Sequence, residues 1–231
     1  MNCFSIIIPA HNEEKYITNT LKYASSLRYP KDKFEIIVVE NGSNDKTLKL
    51  ARSFSKKNVR VFSIKERGVS RARNFGATKA RFEWLIFLDA DTLLKRDFLN
   101  ELNGFLSRKS KEHIIGTTEL VPSNRAMSHR LWFIYHNFVH RVFGVSSTPQ
   151  IVKRNLFNKV KYDEMLNFAE DLKLTKEITK YGKLFYMPTK SVINSTRRTE
   201  KVGNFRQIIK WTGQSFMPYS VKVKKDYEVI R

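Results

Sequence analysis

The sequence predicts an α/β domain, a mostly parallel sheet covered by helices on both faces. Three observations carry this prediction. Short, nearly unbroken apolar runs of strand length recur through the first half of the chain, as in strands buried on both faces. The segments between them place apolar residues at helical spacing. The two alternate in the order β-α-β-α-β-α-β, the pattern of parallel crossovers.

Each element has its own signal. Ser5–Pro9 is an apolar run closed by proline and reads as the first strand. Asn12-Glu13-Glu14 offers a cap and acidic residues for a helix start. Tyr16, Ile17, Leu21, Ala24 and Leu27 follow at helical spacing, and Pro30 closes the region. Phe34–Val39 reads as the second strand, and Asn41-Gly42-Ser43-Asn44-Asp45 has turn chemistry. Leu48, Ala51 and Phe54 mark a helix, Val59–Ile64 a strand, Gly68–Ala80 a helix and Trp84–Leu88 a fourth strand. The second half is less regular. Helices are expected over Met127–Phe143, Asn167–Lys180 and Phe205–Phe216, with short strands at Leu184–Met187 and Val192–Ile193.

With 41% hydrophobic and 13% aromatic residues, the 231-residue chain is not disordered, and 9 glycines and 6 prolines exclude a fibrous protein. One cysteine, Cys3, excludes an internal disulfide framework and suits a reducing compartment. No linker or repeat divides the chain, so one domain over 1–231 is expected. The longest apolar runs fall well short of the ~20 residues of a membrane span, and the N-terminus lacks signal-peptide features. A cytoplasmic protein is therefore expected.

The charge is the odd feature. There are 43 Lys+Arg against 22 Asp+Glu, a net +21. Residues 1–120 carry +8 and residues 121–231 carry +13. Such an excess implies an anionic partner: nucleic acid, an acidic membrane face or a phosphorylated substrate.

Ligands of such sheets bind at the carboxyl ends of the strands. Three strand ends carry candidate chemistry: Pro9-Ala10-His11-Asn12-Glu13, Glu40-Asn41-Gly42-Ser43 and Asp89-Ala90-Asp91. Two carboxylates at a strand end suit a hard divalent cation, which neutralises a diphosphate leaving group. The same triplet also suits a turn with a helix cap. Glu170-Asp171 opens a helix, where acidic residues also complement the helix dipole. Arg197-Arg198 suits a phosphate or a solvated surface. In Met127–Phe143 a stripe of Met127, Leu131, Ile134, Phe138 and Val142 faces away from Arg130, His136, Asn137, His140 and Arg141. That pattern fits a core helix or a helix lying in a membrane interface, with His136 and His140 as polar-face or acceptor-site residues.

Five segments taken together resemble the family 2 glycosyltransferases: Ser5-Ile6-Ile7-Ile8-Pro9-Ala10-His11-Asn12-Glu13-Glu14, Ile36–Asp45, Gly68-Val69-Ser70-Arg71-Ala72-Arg73-Asn74-Phe75-Gly76, Asp89-Ala90-Asp91 and Glu170-Asp171. The resemblance implies a GT-A fold, a Rossmann-like single domain with a mixed, mostly parallel sheet. It divides the chain into a nucleotide-sugar-binding half, 1–120, and an acceptor-binding half, 121–231, with a basic C-terminal tail. It implies an inverting enzyme with a UDP- or GDP-sugar donor, a divalent metal (Mn2+ or Mg2+), and a hydroxyl or phosphate acceptor, in one version lipid-linked. By that likeness Pro9, His11, Glu13, Glu40 and Gly42 line the nucleoside, and Arg73 reaches the base or phosphate. Asp89 contacts ribose or metal, Asp91 is the principal metal ligand, Asp171 the base, and Glu170 orients acceptor or loop. Arg197 and Arg198 clamp the diphosphate or an acceptor phosphate.

The chain departs from the family pattern at three places. Glu40 stands where Asp is usual, His11 where Tyr is usual, and Val192-Ile193-Asn194-Ser195 where many relatives carry a metal-binding His. Alternative readings are a basic nucleic-acid-binding protein, though no reader motif is present and no nucleic acid is expected, and a non-catalytic nucleotide-binding relative. The basic, aromatic second half and the tail with Lys222, Lys224 and Lys225 beside Tyr219 and Tyr227 suit an anionic membrane surface. They would place the protein peripherally at the inner face of the cell membrane. A solvated tail is the other reading.

Overall fold

The computed structural model describes residues 1–55, 58–144, 146–166 and 168–203. The helix expected over Phe205–Phe216 and the basic tail lie outside the described residues. The first half alternates as the sequence predicts: β1 (Phe4–Ala10), α1 (Ile17–Ser25), β2 (Phe34–Asn41), α2 (Thr47–Arg52), β3 (Val59–Ile64), α3 (Val69–Lys79) and β4 (Trp84–Phe87). After it come β5 (Leu93–Leu94), α4 (Phe98–Ser107), β6 (His113–Thr118), β7 (Val121–Pro122), α5 (Met127–Phe143), β8 (Gln150–Lys153) and α6 (Arg154–Val160). The described chain closes with α7 (Glu170–Ile178), a 3-10 turn at Thr179–Tyr181, β9 (Lys183–Met187), β10 (Val192–Asn194) and α8 (Arg197–Val202).

Seven strands form one sheet in the order β3-β2-β1-β4-β8-β6-β9. Only β8 runs against its neighbours β4 and β6, so the sheet is mixed and mostly parallel. β1 and β2 are buried along their whole length, which is why they read as continuous apolar runs. A core cluster lies on each face of the sheet. A small sheet, β5-β10-β7, ties the chain after Asp91 to the chain before α8.

The glycine of α3 sets how closely that helix packs. A Cβ on Gly76 would stand 2.5 Å from Ile7 Cγ2 and 3.2 Å from Val39 Cγ2. Gly76→Ala should therefore destabilise the fold by about 1–3 kcal/mol, because overpacking outweighs the gain in helix propensity. An unchanged urea midpoint would show that β1 and β2 yield to the methyl.

Two expectations are corrected. Asn12-Glu13-Glu14 does not start a helix. α1 begins at Ile17 with no acidic residue in its first turn, because Asn12 adopts φ 53° and its neighbours bond to the next strand-end loop. The apolar stripe of α5 does not face a core: it points outward, whereas His136 and His140, on the polar face of the helix, are buried. The inner side of α5 meets hydrogen-bonding partners. Asn137 bonds both the N–H and the carbonyl of Leu120, and His129 Nδ1 lies 3.1 Å from Thr199 Oγ1.

Candidate active site

The strand order reverses direction between β1 and β4, and the candidate residues gather at that point. Pro9 pairs with Val39 and Ala10 with Glu40 at the carboxyl ends of β1 and β2. The loops that follow are clamped together. Ser43 Oγ accepts from Asn12 N–H at 3.0 Å, Asn12 Oδ1 accepts from Asn44 N–H at 2.8 Å, and Thr47 Oγ1 accepts from Glu13 N–H at 2.7 Å. His11 sits half-buried in this clamp. Glu40 is buried and closes the β2 end from within: one oxygen accepts from Ser63 Oγ at 2.6 Å, the other from the Ser43 N–H. Gly42, at φ +72°, has no room for a Cβ, which would lie 2.9 Å from the Lys65 carbonyl oxygen. Between the clamped loops opens a cavity of about 250 Å³, bordered by Lys15, Tyr16, Asn44, Asp45 and Arg197.

Glu13 and Asp91 share one guanidinium. Arg197 donates from Nη1 and Nη2 to the two Glu13 oxygens at 2.7 and 2.8 Å, and its Nε lies 2.8 Å from Asp91 Oδ2. Its guanidinium also stacks over Tyr16 at 4.7 Å. α8 delivers Arg197 because β10 is pinned between β5 and β7. Arg198 beside it is pushed down from the ordinary arginine value by burial, against the pull of Asp89 and Asp91.

Arg73 joins the second pair. It projects from α3, buried, with Nη2 3.1 Å from Asp89 Oδ1 and Nη1 2.9 Å from Glu170 Oε1. The Tyr162 ring lies 5.1 Å away. Arg73 thus links the β4 end to the start of α7. Ala169 at φ 60° turns the chain there and aims Glu170 and Asp171 into the cluster. Burial, followed by the charge of Glu170, pushes the Asp171 carboxyl up to about 7, against the pull of Arg73. Gln150, in β8, holds this turn by donating to the Asp171 carbonyl at 3.3 Å and to Thr175 Oγ1 at 3.1 Å.

Thr148 has no counterpart among the expected residues. Its hydroxyl donates to Asp89 Oδ2 at 2.6 Å, so both Asp89 oxygens are held. No local motif announces it, since the contact spans 59 residues. Thr148→Val should cost about 0.5–1.5 kcal/mol and loosen Asp89; a melting curve identical to that of the parent chain would argue against the contact.

The cluster carries five carboxylates (Glu13, Asp89, Asp91, Glu170, Asp171) against three guanidiniums (Arg73, Arg197, Arg198). Burial first, then Asp89 and Glu13, push Asp91 up to about 6 despite Arg197. Carboxylate oxygens in excess of their cations form a donor set that suits a hard divalent ion. Asp91 and Asp89 would hold it, with the remaining positions left to non-protein oxygens. Among the described residues no group of three His, Cys, Asp or Glu is arranged around one metal position. The stretch Val192-Ile193-Asn194-Ser195 delivers Arg197, not a histidine.

The architecture recurs in solved glycosyltransferases. Staphylococcus aureus TarS 1–349, solved with UDP-GlcNAc, superposes with a TM-score of 0.69 at 21% identity, over 84% of this chain and 59% of that one. The mannosyltransferase PcManGT from Pyrobaculum calidifontis, solved with GDP-Man and Mn2+, superposes with a TM-score of 0.65 at 20% identity, over 96% and 67%. The fold is GT-A. The pattern of glycosyl transferase family 2 matches residues 5–174, and the chain belongs to that family. Relatives include the poly(ribitol-phosphate) beta-N-acetylglucosaminyltransferase TarS of Staphylococcus aureus, 30% identical over 48% of this chain and 20% of its own length. A dolichyl N-acetyl-alpha-D-glucosaminyl phosphate diacetamido-glucuronosyltransferase of Methanococcus voltae is 35% identical over 48% of this chain and 36% of its own length. The chain spans from a fifth to about half the length of these and the other first relatives.

Proposed function

We propose that the chain transfers a sugar, with inversion, from a nucleotide-diphosphate donor to a hydroxyl or phosphate of an acceptor. The carrying observation is the Arg73 bridge, which ties Asp89 at the end of β4 to Glu170, the neighbour of Asp171. The printed names of the relatives support an acceptor of the phosphate-bearing kind, polymeric or lipid-linked. The solved neighbours with UDP-GlcNAc and GDP-Man support a UDP- or GDP-sugar donor.

In this reading Asp171 accepts the proton of the acceptor hydroxyl as that oxygen forms its bond to the anomeric carbon. The bond from that carbon to the diphosphate oxygen breaks on the opposite face, and the electron pair leaves with the diphosphate. Arg197 and Arg198 meet the departing negative charge. A divalent ion on Asp91 and Asp89 supplies further neutralisation when bound. Glu170 keeps Arg73 in place and so fixes the turn that carries the base. Pro9, His11, Glu13, Glu40 and Gly42 shape the nucleoside end, where Glu40 acts from within the wall.

A thermal-shift screen of UDP-, GDP- and dTDP-sugars, with and without Mn2+ or Mg2+, tests this reading. A ligand that binds the native state alone raises the midpoint, by about 2.7 kcal/mol of stability at a hundred times its Kd. Stabilisation by one sugar nucleotide that needs the metal, and that Asp91→Asn abolishes, is the expected result. No shift with any sugar nucleotide would sink it.

A further inference from the structure

We propose that the outer face of α5 is a docking surface for an anionic lipid bilayer. This goes beyond the transfer reaction and does not depend on which sugar is moved. α5 is inverted relative to an ordinary surface helix. Met127, Leu131, Ile134, Phe138, Val142 and Phe143 are 57–71% exposed, while His129, His136 and His140 point inward. A stripe of six large apolar side chains on one helix face marks an interaction surface.

Charge selects the occupant. Arg125, Arg130 and Arg141 stand exposed along the same helix and its approach. No Asp or Glu occurs between Glu119 and Asp163, whereas seven Lys or Arg do. An apolar stripe within an exclusively basic stretch matches a helix lying at the headgroup level of an acidic bilayer. Two other occupants fit less well. Residues 204–231 follow α8, which packs on His129 at the start of α5, but they carry six basic and two acidic residues. That charge has the same sign as the arginines around the stripe. A second copy would set the same basic stretch against itself. Nor can α5 cross the bilayer: among the described residues no helix is long and apolar enough. It lies on the surface.

The inner face of α5 couples such docking to the site. Near the end of the helix His140 Nδ1 is 3.3 Å from Ser147 Oγ, next to Thr148, which holds Asp89. Near its start His129 meets Thr199, two residues from Arg197. A bilayer under α5 therefore holds the carboxylate cluster at a fixed height, suited to an acceptor anchored in that bilayer.

Co-sedimentation of the full chain with vesicles tests the docking. Binding is expected to phosphatidylcholine vesicles that contain phosphatidylglycerol, to fade as salt rises, and to be weak on phosphatidylcholine alone. Ile134→Ser with Phe138→Ser should weaken binding by about tenfold or more. The thermal midpoint should not fall, since both side chains are exposed. Arg130→Glu with Arg141→Glu should abolish the preference for phosphatidylglycerol. The proposal is overturned if vesicles do not bind the parent chain, or if the serine variant binds them equally well. A serine variant that melts earlier would assign the stripe to the chain's own 204–231 segment. A concentration-dependent dimer that this variant dissolves would assign it to a second copy. Either result also overturns the proposal.

Discussion

Asp171→Asn is expected to reduce sugar transfer by about 10²–10⁴-fold, the usual worth of a general base, while leaving donor binding and fold intact. Asn keeps the shape and the hydrogen-bond acceptor that the Leu172 N–H uses at 2.8 Å, but it cannot take the acceptor proton. Two further readings separate this from a structural effect. Transfer by the parent chain should fall tenfold per pH unit below an apparent pKa of about 7. Stability should move the other way. A carboxyl raised from 3.8 to about 7 by folding binds its proton more tightly when native. Its charge therefore costs stability as pH rises from about 4 to about 7, and the full cost persists above that. Asn removes that cost, so the variant should melt at or above the parent temperature at pH 8 and lose the advantage near pH 4. Surviving transfer would discard Asp171 as the base, and a large drop in melting point at pH 8 would discard the assignment of the raised pKa.

The first half was legible because its strands are buried on both faces. Phe4–Ala10 and Phe34–Asn41 need apolar residues on each side, so they print as unbroken runs that few other structures produce. The acidic and glycine positions at their ends then fall where the fold puts ligands. The second half hid its elements for different reasons. β8 enters the middle of the sheet antiparallel, with only four residues, one of them the fully buried Gln150. β6 contains Gly116, Thr117 and Thr118, which leave it without an apolar run of strand length. α4 did carry a signal, since Phe98, Leu99, Leu102 and Leu106 recur at helical spacing and are all buried.

Site residues divide in the same way. Asp89, Asp91, Glu170 and Asp171 were legible because each sits at an element boundary with a recognisable motif. Arg73 and Arg197 were legible as candidates, but their partners were not: the ion pairs of Arg73 reach across 16 and 97 residues, and that of Arg197 to Glu13 across 184. Thr148 and Gln150 gave no signal at all. For α5 the period was legible and the facing was not, because facing depends on what the neighbours offer. Here they offer the Leu120 backbone, Thr199 and Ser147, all polar, so the histidine side turns in.

The largest effect on stability should come from Arg73→Met. Methionine keeps the length and apolar stem of the side chain but leaves Asp89 and Glu170 facing each other without their shared cation. Burial pulls the pKa of this arginine down, yet Tyr162, Asp89, Glu170 and Asp171 together hold it above the ordinary value. Removing one partner of such a buried arrangement costs about 3–5 kcal/mol, or roughly 6–20 °C of melting temperature for a domain of this size. Lysine should rescue only in part, because a single ammonium cannot span two carboxylates as a planar guanidinium does. A second change separates the charge effect from a packing defect. Glu170→Gln added to Arg73→Met removes one of the stranded charges and should restore part of the melting temperature, a positive coupling in a double-mutant cycle. If Arg73→Met melts like the parent at every pH, or if Glu170→Gln merely adds its own loss, then Arg73 does not bind the two halves of the site together.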